Sequence, residues 1–263
     1  MPVQQLFYKT AVPVSADRHG DLSVSAGKSY AFAKTANSIP VTAAEFAPAA
    51  AHHPIVFAGS GDEVVPAVIL GTRDDENLAV DAEGQWRETY IPAFVRRYPF
   101  IFALDNEKNR FTLLVDEEFD GANREGRGER LFDSEGEQTG YLKSVLKFLQ
   151  DYQASFARTQ AFCKRMKELD LLVPMQAEFS LAAGQKRTLG GFQVVDRERL
   201  KALSGETLAD LCRKDELECI YLHLSSMRHF RDMLGRANSE AASAVEPTPA
   251  AAPEDAAEPM ANA

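Results

Sequence analysis

Arg96 and Arg97 stand side by side in the densest aromatic stretch of the chain, WRETYIPAFVRRYPFIFAL from Trp86 to Leu104, which also carries the only tryptophan. A guanidinium beside Trp86, Tyr90 or Tyr98 can stack on a ring and hold a carboxylate or phosphate through its two-pronged donor geometry. Those five residues are the candidate binding surface. Adjacent side chains on a helix diverge by about 100°, so at most one of the two arginines is expected to face the aromatics. The plainer alternative is an arginine lying over a core edge and pairing with one of the many nearby acids.

Other patterns offer less. Asp116-x-Glu118-x-Asp120-Gly121 opens like a calcium loop, but the position that should supply a bidentate Glu is Arg127, whose charge repels the ion. His52 and His53 are adjacent, and His223 and His229 lie six apart on a predicted helix, so neither pair presents two nitrogens to one metal. Gly126-Arg127-Gly128 stops short of a dinucleotide fingerprint because Leu131 takes the place of its third glycine. Ser225 and Ser226 fall within a helix rather than on an exposed elbow. Cys163, Cys212 and Cys219 are odd in number, lack paired spacing and read as reduced thiols. No catalytic residue, metal ligand or cofactor is assigned.

The elements that position the arginines follow from local signals. Pro92 suits the first turn of a short helix over PAFVRRY, Pro99 ends it, and PFIFAL continues as a buried strand. After the polar turn DNEKNR, FTLLVD completes the most convincing hairpin, where the sheet core is expected. Upstream, strands are expected at Leu22–Val24, Ser29–Lys34 and Leu78–Val80. Thr42 and Glu45 form a capping box for a short helix that Pro48 disturbs or ends. IVFAG and VVPAVILG flank an SGDE turn as a second hairpin, with Pro66 demanding an edge or a bulge.

Residues 116–140 read as a charged surface loop pinned by Leu131 and Phe132. From Tyr141 a spacing of three and four, with Thr139 as N-cap, predicts one long helix whose buried face runs from Leu142 to Met166. Pro174 forbids its continuation. MQAEFSLA alternates as a half-buried strand and pairs across AAGQKR with GGFQVVD. Asp196 and Ser204 cap two short helices, and Leu217, Ile220, Tyr221, Leu224, Met227 and Leu234 mark a last one.

The fold class is therefore α+β: a mostly antiparallel sheet packed by a long helix, with a helical C-terminal region. Residues 1–236 are expected to form a single domain, and 237–263 a disordered Ala/Pro/Glu-rich acidic tail. Five of the charges behind the formal net charge of −10 lie in that tail, leaving a mildly acidic body. Such a balance disfavours nucleic acid as a partner. No Sec-type leader and no transmembrane run is read, so a cytoplasmic location is expected, with signal-independent export left open.

The string YIPAFVRRYPF from Tyr90 to Phe100, with HPIVF from His53, GGF from Gly190 and IYLHL from Ile220, resembles the bacterial SapC family over approximately residues 5–235. The resemblance implies a role near surface-layer production or transport. Members also stand beside genes for halogenase-like flavoproteins and TonB-dependent receptors, implying a protein partner in such a system. No family residue roles carry over. The expected function is thus a non-catalytic accessory or interaction protein. Its rival is an enzyme or small-ligand binder acting on a peptide or amino-acid side chain through the Arg/aromatic cluster. A convex cluster favours the first and a concave pocket the second.

Overall fold

The computed structural model of the protein describes residues 6–59, 64–105, 110–180, 186–233 and 235. Its first elements are β1 (Ala11–Pro13), α1 (Ala16–His19), β2 (Ser23–Val24), β3 (Ser38–Pro40), α2 (Phe46–Ala50), β4 (Ile55–Ala58) and β5 (Val65–Ile69). The short helix α3 (Ala93–Arg96) leads into the hairpin β6 (Phe100–Asp105) and β7 (Arg110–Asp116), then β8 (Ala122–Asn123) and β9 (Glu129–Arg130). The long helix α4 (Gly140–Glu168) precedes β10 (Leu172–Ser180) and β11 (Lys186–Val195), and α5 (Arg197–Lys201), α6 (Gly205–Arg213) and α7 (Glu216–Ser226) follow. The expected tail from residue 237, Leu234 and the turn segments 60–63, 106–109 and 181–185 lie outside the described residues.

The fold is α+β, with antiparallel pairing throughout its named strands. A five-stranded sheet runs in the order β10-β11-β4-β5-β3, a three-stranded sheet in the order β1-β7-β6, and β2 lies between β8 and β9. Side chains alternate across β4: Ile55 and Phe57 join the main core, whereas Val56 faces a smaller cluster with Ile69, Phe192 and Met233.

Helix α4 ties the two larger sheets together. Its 29 residues extend about 43 Å at 1.5 Å per residue. Thr139 Oγ1 accepts from Leu142 N, and the buried face holds Leu142, Leu149, Tyr152, Thr159, Cys163 and Met166, as the three-four spacing predicts. Near its C-terminal half Phe162 packs against Phe46 and Phe57 under the five-stranded sheet; near its start Tyr141 meets Phe100 of β6. Burying such rings supplies roughly 1.5–3 kcal/mol each.

Several local expectations are corrected. The core centres on β4 and β5 rather than on the β6–β7 hairpin, whose outer part leaves Leu104 and Phe111 exposed. Ser29–Lys34 is not a strand: Ala31–Ala33 forms a 3-10 turn, and Tyr30 N bonds to Gly84 O across the chain. Leu78–Val80 is buried, yet it pairs only through an isolated bridge between Val80 and Trp86. Pro48 sits inside α2, in a first turn that needs no amide donor. Pro66 lies on an interior strand, opposite Phe57, just past the end of β3, where Val41 N still donates to its carbonyl. Its missing donor therefore breaks no central rung. Tyr221, expected on the apolar face of α7, is exposed.

Candidate functional site

Two buried carboxylates hold the segment from Tyr90 to Tyr98 at its ends. Glu45 Oε2 closes the predicted capping box by accepting from Thr42 N (2.8 Å) and Thr42 Oγ1 (2.9 Å). Its Oε1 accepts from the Tyr90 hydroxyl (2.6 Å) and from Ala93 N (2.7 Å), one of the first-turn amides of α3. At the other end, Asp116 Oδ1 accepts from Thr10 N (3.0 Å) and Glu118 N (3.1 Å), and Oδ2 from Lys9 N (2.9 Å) and the Tyr98 hydroxyl (3.1 Å). Each of the four oxygens takes two donors.

Between these anchors the two arginines part company. Arg97 is 2% exposed, with Cζ 4.1 Å from the Phe94 ring centre and 5.1 Å from that of Tyr152. Tyr8 closes the same interior; its hydroxyl donates to Phe100 O (2.7 Å) and also bonds with Arg97. Arg96 is exposed, with Nε donating to Ile91 O (2.9 Å) and Cζ 5.2 Å over Phe148 of α4. It makes no ion pair among the described residues. Both arginines lie over rings, but those rings are Phe148, Phe94 and Tyr152 rather than Trp86, Tyr90 and Tyr98. Arg96 is exposed and Arg97 buried, with aromatic side chains of α3 and α4 beside both.

Arg96, Arg97 and Tyr98 form one wall of a concave cavity of about 360 Å³. Tyr30 and Phe32 come from the chain after β2, and Tyr141 and Phe148 from α4. Trp86 and Tyr90 stand behind this wall: Trp86 is edge-on to Tyr30 at 6.0 Å and donates Nε1–H to Tyr90 O (3.0 Å), and the Tyr90 hydroxyl lies beside Arg96. A second cavity of about 550 Å³ adjoins the first and is lined by Lys9, Lys28, Glu118, Asp120 and Arg127. Phe32, Tyr98 and Phe119 border both. Their rings pack at 4.4 Å (Phe32–Tyr98), 5.2 Å (Tyr98–Phe119) and 6.4 Å (Phe32–Phe119), making a three-ring partition. Gly121 is required beside it, since a Cβ there would strike the Phe119 ring.

The electrostatics keep the phenols neutral, although the Tyr90 and Tyr98 protons are already given to Glu45 and Asp116, so Arg96 is the cavity's charged donor. Burial raises Tyr30, Tyr90 and Tyr98 above the usual phenol range, with the negative charges of Glu45 and Asp116 adding to the rise at Tyr90 and Tyr98 respectively. Burial pushes Tyr141 and Tyr152 up to about 12. All these hydroxyls stay protonated at neutral pH, next to a permanent cation. The arrangement can accept an anion or the face of a π system. Glu45 and Asp116 present no unused lone pair for abstracting a proton.

The remaining candidates serve the fold. His223 Nδ1 donates to Ile55 O (2.7 Å) and Nε2 accepts from Val195 N (3.0 Å), and burial lowers it to about 4. His229 Nε2 bonds to Ala50 O, and His52 to Thr89 Oγ1. Ser226 accepts from Ile55 N and donates to His223 O. Cys163 and Cys219 are pushed by burial up to about 12 and about 11, which keeps them as thiols. Asp116, first residue of the calcium-like run, is engaged by protein donors, and no group suited to a metal ion occurs among the described residues.

Sequence reasoning missed Tyr30, Phe32 and Phe119 of the cavity walls, and Lys9 and Lys28 of the outer chamber. Phe148 was visible only as an extra apolar residue beside the main stripe of α4. The model of the SapC family matches residues 14–233. No curated protein and no solved structure matches the chain.

Proposed function

The chain belongs to the SapC family, and from that premise we propose that it is a non-catalytic accessory protein whose aromatic cavity binds a ligand through Arg96. The system it serves, in this reading, handles the surface layer or a TonB-dependent receptor. One observation carries the proposal: an arginine without an ion pair among the described residues stacks on Phe148 at the wall of a concave cavity of about 360 Å³. That volume falls in the range of small-molecule sites, and the lining of many apolar surfaces with few polar groups is their usual make-up. Concavity favours ligand binding over a flat protein-docking face.

The rival reading of the sequence is an enzyme or small-ligand binder acting on a peptide or amino-acid side chain; the concave cavity favours its ligand-binding half, which this proposal takes over, and its enzymatic half would use the same cavity. Against it weighs the state of the neighbouring groups. The buried carboxylates are saturated with donors, and the tyrosines are held protonated. A wall with a cationic guanidinium and no free base suits an anion or a π face better than proton abstraction.

Native mass spectrometry of the tagged protein drawn gently from its own host is the test. The expected result is a stoichiometric small mass that survives in the wild type and is lost in Arg96→Ala. Retention in Arg96→Ala refutes the assigned site. Conversion of the released compound on incubation with fresh protein refutes the non-catalytic assignment and leaves the cavity in place.

A further inference from the structure

The second cavity has a lining of a different kind. Lys9, Lys28 and Arg127 share it with Glu118 and Asp120, and Ser25, Ser29 and Asn123 add neutral polar groups. Lys9 and Lys28 are exposed and make no ion pair among the described residues. The two acids in this wall work against a phosphate-bearing ligand, whose charge they repel. A peptide does not: its amides donate and accept, and its side chains or ends carry either sign. The neighbouring chamber offers rings and the exposed guanidinium of Arg96 over Phe148, which suits an apolar or aromatic side chain. The two chambers share the packed rings of Phe32, Tyr98 and Phe119 in their linings.

We propose that the two cavities are halves of one cleft for an extended peptide, an aromatic side chain entering the Arg96 chamber while the adjoining main chain and a charged side chain lie along Lys9, Lys28 and Glu118. The partition of Phe32, Tyr98 and Phe119 is the ridge over which the peptide passes, and it sets the spacing between the two positions. This inference rests on the Arg96 chamber being a binding pocket, and its test separates the two claims.

The probes are 3-phenylpropionate, sized for the inner chamber alone, and a library of acetylated, amidated tetrapeptides with Phe, Tyr, Trp or Ala at the second position and Glu or Lys at the third. Affinities are read by calorimetry on wild type, Arg96→Ala and Lys28→Ala, each shown by circular dichroism to be folded. The expected result is that an aromatic member binds at least about tenfold tighter than 3-phenylpropionate and than its Ala counterpart. Arg96→Ala should weaken both probes, and Lys28→Ala the peptide only, by about fivefold or more. If 3-phenylpropionate binds through Arg96 and no peptide binds better, or Lys28→Ala leaves the peptide untouched, the shared cleft is overturned and the inner pocket stands. If neither probe binds, both claims fall.

Discussion

Arg96 and Arg97 are consecutive in the chain and opposite in setting. Arg97 is buried among Phe94, Tyr152 and Tyr8 and only borders the cavity, whereas Arg96 lies exposed on its aromatic wall with no ion pair among the described residues. The difference shows how one short helix can serve two ends. Its inward side is fixed by Glu45 and Asp116, whose oxygens are fully used. That fixing is what allows the outward side to present a cation without an ion pair among the described residues at a defined place, since a guanidinium on a loose loop would lose more freedom on binding.

The contrast breaks most directly at Arg97. Arg97→Ala removes a buried cation, its bond with Tyr8 and the filling between Phe94 and Tyr152, and is expected to lower stability by about 3–5 kcal/mol. Urea unfolding followed by circular dichroism measures it. A loss below about 1 kcal/mol would mean that the interior is not packed around this side chain.

His223 extends the buried class to a second place. Its neutral form is used at both nitrogens, and burial lowers it from the ordinary 6.5 to about 4. The unfolded chain therefore binds this proton more readily than the folded one. Stability is complete above about pH 6.5 and falls as pH descends towards 4, by about 3 kcal/mol in all. His223→Gln should flatten the slope between pH 7 and pH 5 in urea titrations, whatever it does to the absolute stability. An unchanged slope assigns the titration to another group.

Much of this architecture was readable from local chemistry. The capping box at Thr42 and Glu45, the N-caps Thr139, Asp196 and Ser204, and the stripe of α4 each follow from short-range patterns, and each stands in the structure. What escaped was non-local. Nothing near Glu45 announces that its second oxygen will reach Tyr90 and Ala93, about 45 residues away. The alternation in SYAFAK mimics a strand, yet Tyr30 is held by Gly84, and the turn that results delivers Tyr30 and Phe32 to the cavity. Lys9 reaches its chamber because Asp116 binds the backbone of residues 9 and 10, a pairing across more than a hundred positions. The arginines could be picked out from composition; which of them was open could not, because burial depends on where α4 comes to rest.

Tyr98 stands between the two settings, since its ring borders both cavities and its hydroxyl bonds to the buried Asp116. Tyr98→Phe keeps the ring and removes one donor from a buried carboxylate, with an expected loss of about 1–2 kcal/mol in the same urea assay. No measurable loss would detach the partition from the interior.

The smallest stability effect belongs to Arg96→Ala. The side chain is exposed, its bonds run to Ile91 O and Tyr90, and its stacking on Phe148 is open to water, so the change should stay within about 0.5 kcal/mol. The same substitution one residue later is expected to cost several times more. That asymmetry sharpens the comparison, because the residue replaced and the change in net charge are identical at the two positions. A loss above about 1 kcal/mol at Arg96 would make it a structural brace rather than a cation held ready for a ligand. A near-zero loss accompanied by release of the bound ligand would separate binding from folding at consecutive residues, as their opposite surroundings require.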